Sequence, residues 1–399
     1  MSFAAVGPGT DLATHARELQ RVHDAVLAGS RPAHRPRPLV ARSWARVVGM
    51  GLEPDGPNAR DSLPWADLAA LRARSPLSWV VDELRSVLTS VADASLFLMV
   101  VCDADGTILW REGSPKVRST ADRLGFCEGA RWTERQVGTN AIGTALAEAA
   151  PVQLFSAEHF EQQQHPWYCT AAPIHDPRTG ELLGVVDVSG PALTLHPALV
   201  SLVASAVRLA EAELGRRHRD ELERLRRRAE PLVGGLAGPL LVVDDLGWVA
   251  HHAGVAHRDR VEVPRAGRAL AVPGVGLCVP EPLAGGWVVR PQGEQDVVRA
   301  RLDLTGPAPV LVVSAGAAPW RVELTRRQGQ VLAVLARAGA AGVTAADLSR
   351  ALYGDPDHAV SARAEVSRLR RVVGALVTTN PYRVADGVAL EVAAPGAGY

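Results

Sequence analysis

Near the carboxyl end, five side chains have the types and spacing to grip a nucleic acid. The stretch Ala359–Gly374 carries Arg363, Ser367, Arg368, Arg370 and Arg371 among Val360, Val366, Leu369 and Val373, which recur at helical spacing. The pattern predicts a helix with one apolar face made by those four residues, guanidiniums projecting elsewhere, and Gly374 closing its end. Arginine donates two parallel hydrogen bonds to guanine and neutralises phosphates, so such a helix suits a DNA major groove. A solvated helix face is the plainer reading of the same arginines. Arg383, in the hairpin that follows, is then a phosphate or minor-groove contact.

A second group lies between 110 and 187. Trp110, Phe126, Trp132, Phe155, Phe160, Trp167 and Tyr168 gather there in a chain only 5% aromatic. They are either plain core or, in part, the lining of a small-molecule cavity, since such cavities are apolar with a few polar anchors. In the ligand reading the site is Trp110, Phe126, Trp132 and Trp167 with the polar candidates Thr139, Asn140, His159 and Asp187. His159 and His165, with Glu158 beside them, come nearest to a metal set. Zinc takes three or four ligands and nothing else stands at ligand spacing, so hydrogen-bonded loop histidines and no metal are expected.

The four cysteines, Cys102, Cys127, Cys169 and Cys278, are scattered without a CxxC pair, which argues against a disulfide framework or structural zinc. Cys102 and Cys278 read as strand cores. Cys127 and Cys169 are either small buried apolar residues or a redox pair. No residue is assigned a catalytic role, and no cofactor is expected.

The 399 residues allow roughly two to four domains. An apolar content of 47% makes the chain globular. Formal net charge is zero, so any DNA contact must come from a local patch rather than from the whole surface. Lys116 is the single lysine, and this bias, with abundant Ala, Gly and Pro, reads as the mark of a GC-rich genome rather than of selection for arginine chemistry. No apolar run approaches ~18 residues, so no membrane span is expected. Met1–Gly7 lacks a basic region followed by an apolar core, so no secretion signal is seen and a cytoplasmic location is expected.

The elements that must position these groups give an α/β (α+β) class. Residues 1–75 are helical and arginine-rich, broken by a linker at 31–38 and a Pro-Asp-Gly-Pro loop at 54–57. From 76 to 195 come a helix over Trp79–Val91 and strands over Leu96–Val101, Thr107–Arg111, Pro151–Phe155, Trp167–Ile174 and Leu182–Ser189, an antiparallel sheet with flanking helices. Residues 196–230 form a connecting helix; Leu222, Leu225 and Leu232 keep a three-four spacing that fits either a paired helix, and with it a homodimer, or a solvated helix between domains, and Gly215 interrupts a continuous seam. Residues 231–318 are a second small β-rich unit, in which Pro239–Ala250 repeats the strand–turn–strand device of 98–110. Residues 319–399 hold two helix starts, Leu324–Gln328 and Thr344–Leu348, then the basic helix and a hairpin. Thr344 is the N-cap of the second, with Asp347 at the capping-box position.

The ordered stretches Gln136–Leu146, Glu158–Phe160, Cys169–Asp176 and Leu183–Gly190, preceded by Ser43-Trp44 and Gly51–Pro54, resemble the GAF sensor domain and N-terminal region of the acetoin-catabolism regulator family of bacterial activators. The resemblance covers roughly residues 35–215 and implies a GAF fold and a small-molecule effector. The family's usual central AAA+ ATPase is not carried over. A Walker A loop needs a lysine for the terminal phosphates, and after Gly138 and Gly143 stand Thr144 and Ala145. Val366–Gly374 followed by Thr378–Val384 resembles the winged helix of response-regulator DNA-binding domains, which implies double-stranded DNA as a partner. The segment 231–318 is expected to be a small β-rich, PAS-like domain. From 320 to 399 ten arginines face seven acids, a modest excess that predicts salt-sensitive binding.

The expectation is a one-component transcription regulator, not an enzyme, that senses a metabolite and binds a promoter. Three alternatives stay open: a GAF-fold thiol-dependent reductase using Cys127 or Cys169, a haem, flavin or redox sensor, and a signalling adaptor whose winged helix binds protein.

Overall fold

In the computed structural model, which describes residues 3–55, 62–89, 96–236, 238–272, 275–291, 298–314 and 319–393, the chain divides into two units, Met1–His218 and Arg219–Tyr399. Residues 56–57 of the expected loop and 90–91 of the expected helix lie outside the described residues. No helix among the described residues is long and apolar enough to cross a membrane.

The first unit opens with helices α1 (Leu12–Leu27), α2 (Pro38–Gly49), α3 (Trp65–Arg74) and α4 (Val81–Thr89). Then come β1 (Leu98–Asp103), β2 (Ile108–Gly113), α5 (Pro115–Asp122), α6 (Glu134–Val137), α7 (Ala141–Glu148), β3 (Val152–Phe155), β4 (Trp167–His175), β5 (Leu182–Pro191) and the long helix α8 (Leu199–Val233). The strands pair antiparallel in the order β2-β1-β5-β4-β3. The β1–β2 turn is written in its sequence: Asp103 Oδ1 accepts from the amides of Asp105 and Thr107, and Gly106 takes φ 78°.

Strand periodicity sorts the side chains into two layers. Met99, Val101, Val186 and Val188 face a core built with Leu84, Leu88, Val203 and Ala206 of α4 and α8. Leu98, Val100, Cys102 and Val185 face the other core, covered by Trp44 and Val47 of α2, Val117 of α5 and Ile142 of α7.

The second unit begins with the rest of α8, whose Leu225 and Ala229 pack on Leu240 and Val242. Its first sheet comprises β6 (Leu240–Val243), β7 (Val249–Ala253), β8 (Leu270–Val272), β9 (Gly276–Leu283) and β10 (Gly286–Pro291), in the order β7-β6-β10-β9-β8. This is the strand order of the first unit's sheet. The turn device repeats too: Asp244 Oδ1 accepts from the amides of Leu246 and Trp248, with Gly247 at φ 85°.

The remaining elements are β11 (Val298–Asp303), β12 (Val310–Ser314), β13 (Trp320–Glu323), α9 (Arg326–Ala338), α10 (Ala345–Tyr353), α11 (Ala359–Val373), β14 (Val377–Thr379), β15 (Tyr382–Val384) and β16 (Val388–Ala393). Thr325 and Gln328 close a capping box on α9. Thr344 caps α10 through the Asp347 amide; the Asp347 carboxylate accepts from the Thr344 hydroxyl instead of completing the box. β16 runs parallel to β11 and completes a sheet in the order β13-β12-β11-β16. Its inner residues Val298, Leu302, Leu311 and Val313 share one core with Leu332 of α9, Leu348 of α10 and Leu369 of α11. The strands at 298–314 therefore pack with the three helices, across the boundary expected at 318/319.

Candidate functional site

In the first unit the polar candidates converge on the α2/α7 side of the sheet. Asp187 sits at mid-sheet, opposite Val100 of β1 and Ala171 of β4, and Ser189 lies opposite Cys169. The Ser189 hydroxyl donates to Asp187 Oδ2 at 2.5 Å and lies 3.0 Å from the Cys169 sulfur. His159 Nε2 reaches the same sulfur at 3.3 Å, while its Nδ1 meets the Ser156 carbonyl at 2.9 Å. Asp187, Ser189 and His159 are fully buried, and Asp187 Oδ1 makes no hydrogen bond among the described residues.

Burial sets the electrostatics here. It raises the Asp187 carboxyl to about 7, against the opposing Ser189 bond, and lowers His159 to about 4. The Cys169 thiol is pushed well up, by burial first and then by Asp187. A buried carboxyl near neutrality with one oxygen outside the hydrogen-bond network can donate or accept a hydrogen bond there. Ser189 was not singled out by sequence; the signal was its place two residues after Asp187 on one strand face.

Trp167 stands in this layer with Phe126 and Trp132, whose rings are 4.2 Å apart. Trp110 does not join them: it pairs with Val101 and packs in the opposite core, because cross-strand partners share a face. Thr139 and Asn140 hold the scaffold. Asn140 caps α7, accepting from the Gly143 amide and donating to the Gly138 carbonyl, both at 2.9 Å. A Cβ on Gly143 would come within 2.5 Å of the Glu134 amide nitrogen, so this glycine serves packing. Thr139 lies 2.7 Å from Ser43 Oγ, which donates to Glu134 Oε1 at 2.5 Å; Arg46 binds both oxygens of Glu134 at 2.7 Å.

Glu158 is held by Arg37 at 2.6 and 2.8 Å, and Trp44 donates to its carbonyl. His165 bonds Gln20. Cys127 and Cys169 are free thiols, and burial raises both, which opposes the thiolate that reductase chemistry needs.

In the second unit α11 buries Ala362, Val366, Leu369 and Val373. Val360, expected on that face, is 75% exposed, because the stripe continues through Ala362 instead. The arginines divide by what holds them. Arg368 pairs with Glu365 and Arg383 with Asp386, each at 2.5 Å, and Arg370 Nε donates to the Val377 carbonyl at 3.1 Å. Arg363, Ser367 and Arg371 are exposed along one stripe, and the two arginines make no ion pair among the described residues. Hairpin β14–β15 follows immediately, tied back to the helices by the bridge between Val343 and Tyr382.

Residues 77–214 match the GAF domain family. The chain is similar, at 37% identity over 53% of its length and 50% of the relative's, to an uncharacterized 47.3 kDa protein of Rhodococcus erythropolis. It is 35% identical to the acetoin dehydrogenase operon transcriptional activator of Bacillus subtilis, over 52% of this chain and 34% of that one. It is 30% identical to the propane 2-monooxygenase operon transcriptional activator of Mycolicibacterium goodii, over 47% and 32%. The chain thus spans half or less of the length of these relatives.

Proposed function

We propose that this protein is an effector-responsive transcription regulator: the GAF domain takes a small polar metabolite at the Asp187 face, and α9–α11 with hairpin β14–β15 act as a winged helix on promoter DNA. One observation carries the DNA reading. α11 seats Val366, Leu369 and Val373 in a core and leaves Arg363, Ser367 and Arg371 outward beside a hairpin, the arrangement a groove-reading helix requires. The operon activators among its relatives support it. Leu225 of the expected seam is used within the chain, against Leu240 and Val242, so a homodimer would pair α8 through its outward residues such as Leu232, and the β6–β10 sheet is the proposed PAS-like relay. Effector and DNA are coupled if one arrangement of the units binds both better.

Footprinting on the region upstream of the protein's own operon tests the reading. Protection of a discrete site, lost in the Arg363→Ala, Arg371→Ala double variant, is the expected result; equal protection by both proteins contradicts it. The sensor half is tested by a thermal-shift panel of short alcohols, ketones, acids and nucleotides. A true effector raises the melting temperature of the wild type and not of Asp187→Asn.

A further inference from the structure

The segment leading into β8 brings Arg268 against the carboxyl end of α11. Its Nη2 donates to the carbonyls of Arg370 and Arg371, 2.9 Å each. These belong to the last helical turn, where the Arg370 carbonyl also accepts from the Gly374 amide and the helix dipole favours a cation. Gly374 permits the approach. It takes φ +61°, and a Cβ there would lie 3.1 Å from the Ala269 carbonyl oxygen and 2.7 Å from Arg268 Nε.

Between this segment and the helix lies an open cleft of about 380 Å³. Arg363, Ser367, Arg370 and Arg371 line one wall; Arg268 and Glu262 stand on the other. Four guanidiniums thus face a single carboxylate, and three of the lining residues, Arg363, Ser367 and Arg371, are the stripe proposed to read DNA. A cleft of this sign beside a groove-reading helix fits the sugar-phosphate ridge that borders a major groove.

We propose that a DNA backbone strand occupies this cleft and that Arg268, from outside the three-helix unit, is a further phosphate-contacting residue. The inference rests on the DNA-binding reading above. Arg268 has donors to spare beyond the Nη2 it gives to the two carbonyls, and those bonds fix its guanidinium plane before any phosphate arrives. Glu262 opposes a phosphate in the same space.

The test is the affinity of the full chain for a duplex of the upstream region, measured over a series of salt concentrations. Loss of one phosphate contact flattens the slope of log affinity against log salt by about one. Arg268→Ala and Arg371→Ala are each expected to flatten it by that amount, and Glu262→Gln to tighten binding. Arg268→Lys keeps the charge without the two-carbonyl clamp and is expected to restore most of the slope, which loss of helix support alone would not produce. If Arg371→Ala flattens the slope while Arg268→Ala and Arg268→Lys match wild type, the cleft assignment is overturned and the DNA reading stands. Tighter binding by Arg268→Ala also overturns it, because the segment would then cover the helix. If Arg363→Ala and Arg371→Ala leave the slope untouched, or wild type ignores the duplex at low salt, both fall.

Discussion

Asp187 and Ser189 lie two residues apart on β5, and the Ser189 hydroxyl meets the Asp187 carboxylate at 2.5 Å on a sheet face otherwise lined by Leu98, Val100 and Ala171. A charge in that place is costly, which is why the carboxyl holds its proton up to about 7 in the fold against 3.8 ordinarily. A folded value above the unfolded one stabilises the fold below the unfolded value, and that contribution is lost as pH rises from about 4 to 7. Asp187→Asn abolishes the titration. It is expected to be more stable than wild type at pH 8, by about 2–4 kcal/mol at most, and to lose that advantage near pH 4. Equal stability at pH 8 would contradict the burial argument.

The histidines act in the opposite direction. Burial depresses His159 to about 4, and burial with the neighbouring His23 depresses His165 to about 3, from 6.5. Unfolded chains take up these protons first, so stability falls as pH drops below about 6.5 and goes on falling to about 4 for His159. His159→Gln should show a shallower fall of melting temperature between pH 6.5 and 4 than wild type. Parallel curves would show that His159 is already charged in the fold.

Glu134 is buried and answers Arg46, Ser43 and Thr144 at once. Removing its cation leaves a carboxylate in the core with hydroxyl partners alone. Arg46 is partly exposed, so Arg46→Ala is expected to cost about 2–3 kcal/mol, less than a fully buried pair would. The reading is a lower urea midpoint at unchanged m value. An unchanged midpoint would reduce the network to a surface pair.

Arg370 and Arg371 are neighbours with different work. Arg370 ties the helix end to Val377 at the start of β14, whereas Arg371 is exposed. Arg370→Ala should lower stability by about 1–2 kcal/mol. Arg371→Ala should leave stability alone and weaken DNA binding. A stability loss in Arg371→Ala as large as in Arg370→Ala would contradict this division.

Local signals were legible in sequence because they act over a few residues. Asp103 and Asp244 announce their turns, and Thr325 and Thr344 their helices, whereas the strands β1, β4 and β5, buried on both faces, carry no alternation that marks a face. What sequence could not carry was non-local. The motifs Ser43-Trp44 and Gln136–Leu146 read as separate landmarks; in the fold Ser43 hydrogen-bonds Glu134, which no motif included, across 91 residues. The parallel pairing of β11 with β16 has no local mark, and it joins the strands at 298–314 to the core of α9–α11 rather than to the strands before them. Trp110 was grouped by residue type, and strand register then placed it on the other face. Val360 fitted the helical spacing, but the small Ala362 continues the buried stripe and Val360 turns outward.

On the proposed function, α11 grips duplex DNA through its outward Arg363 and Arg371. The most direct test of that grip is titration of the full chain against a duplex of its upstream region from low to physiological salt. Expected are tight binding at low salt, an affinity that falls linearly in log–log coordinates, and a shallower line for the Arg363→Ala, Arg371→Ala variant. Binding at low salt that is absent, or that proceeds equally well without those two arginines, would contradict it.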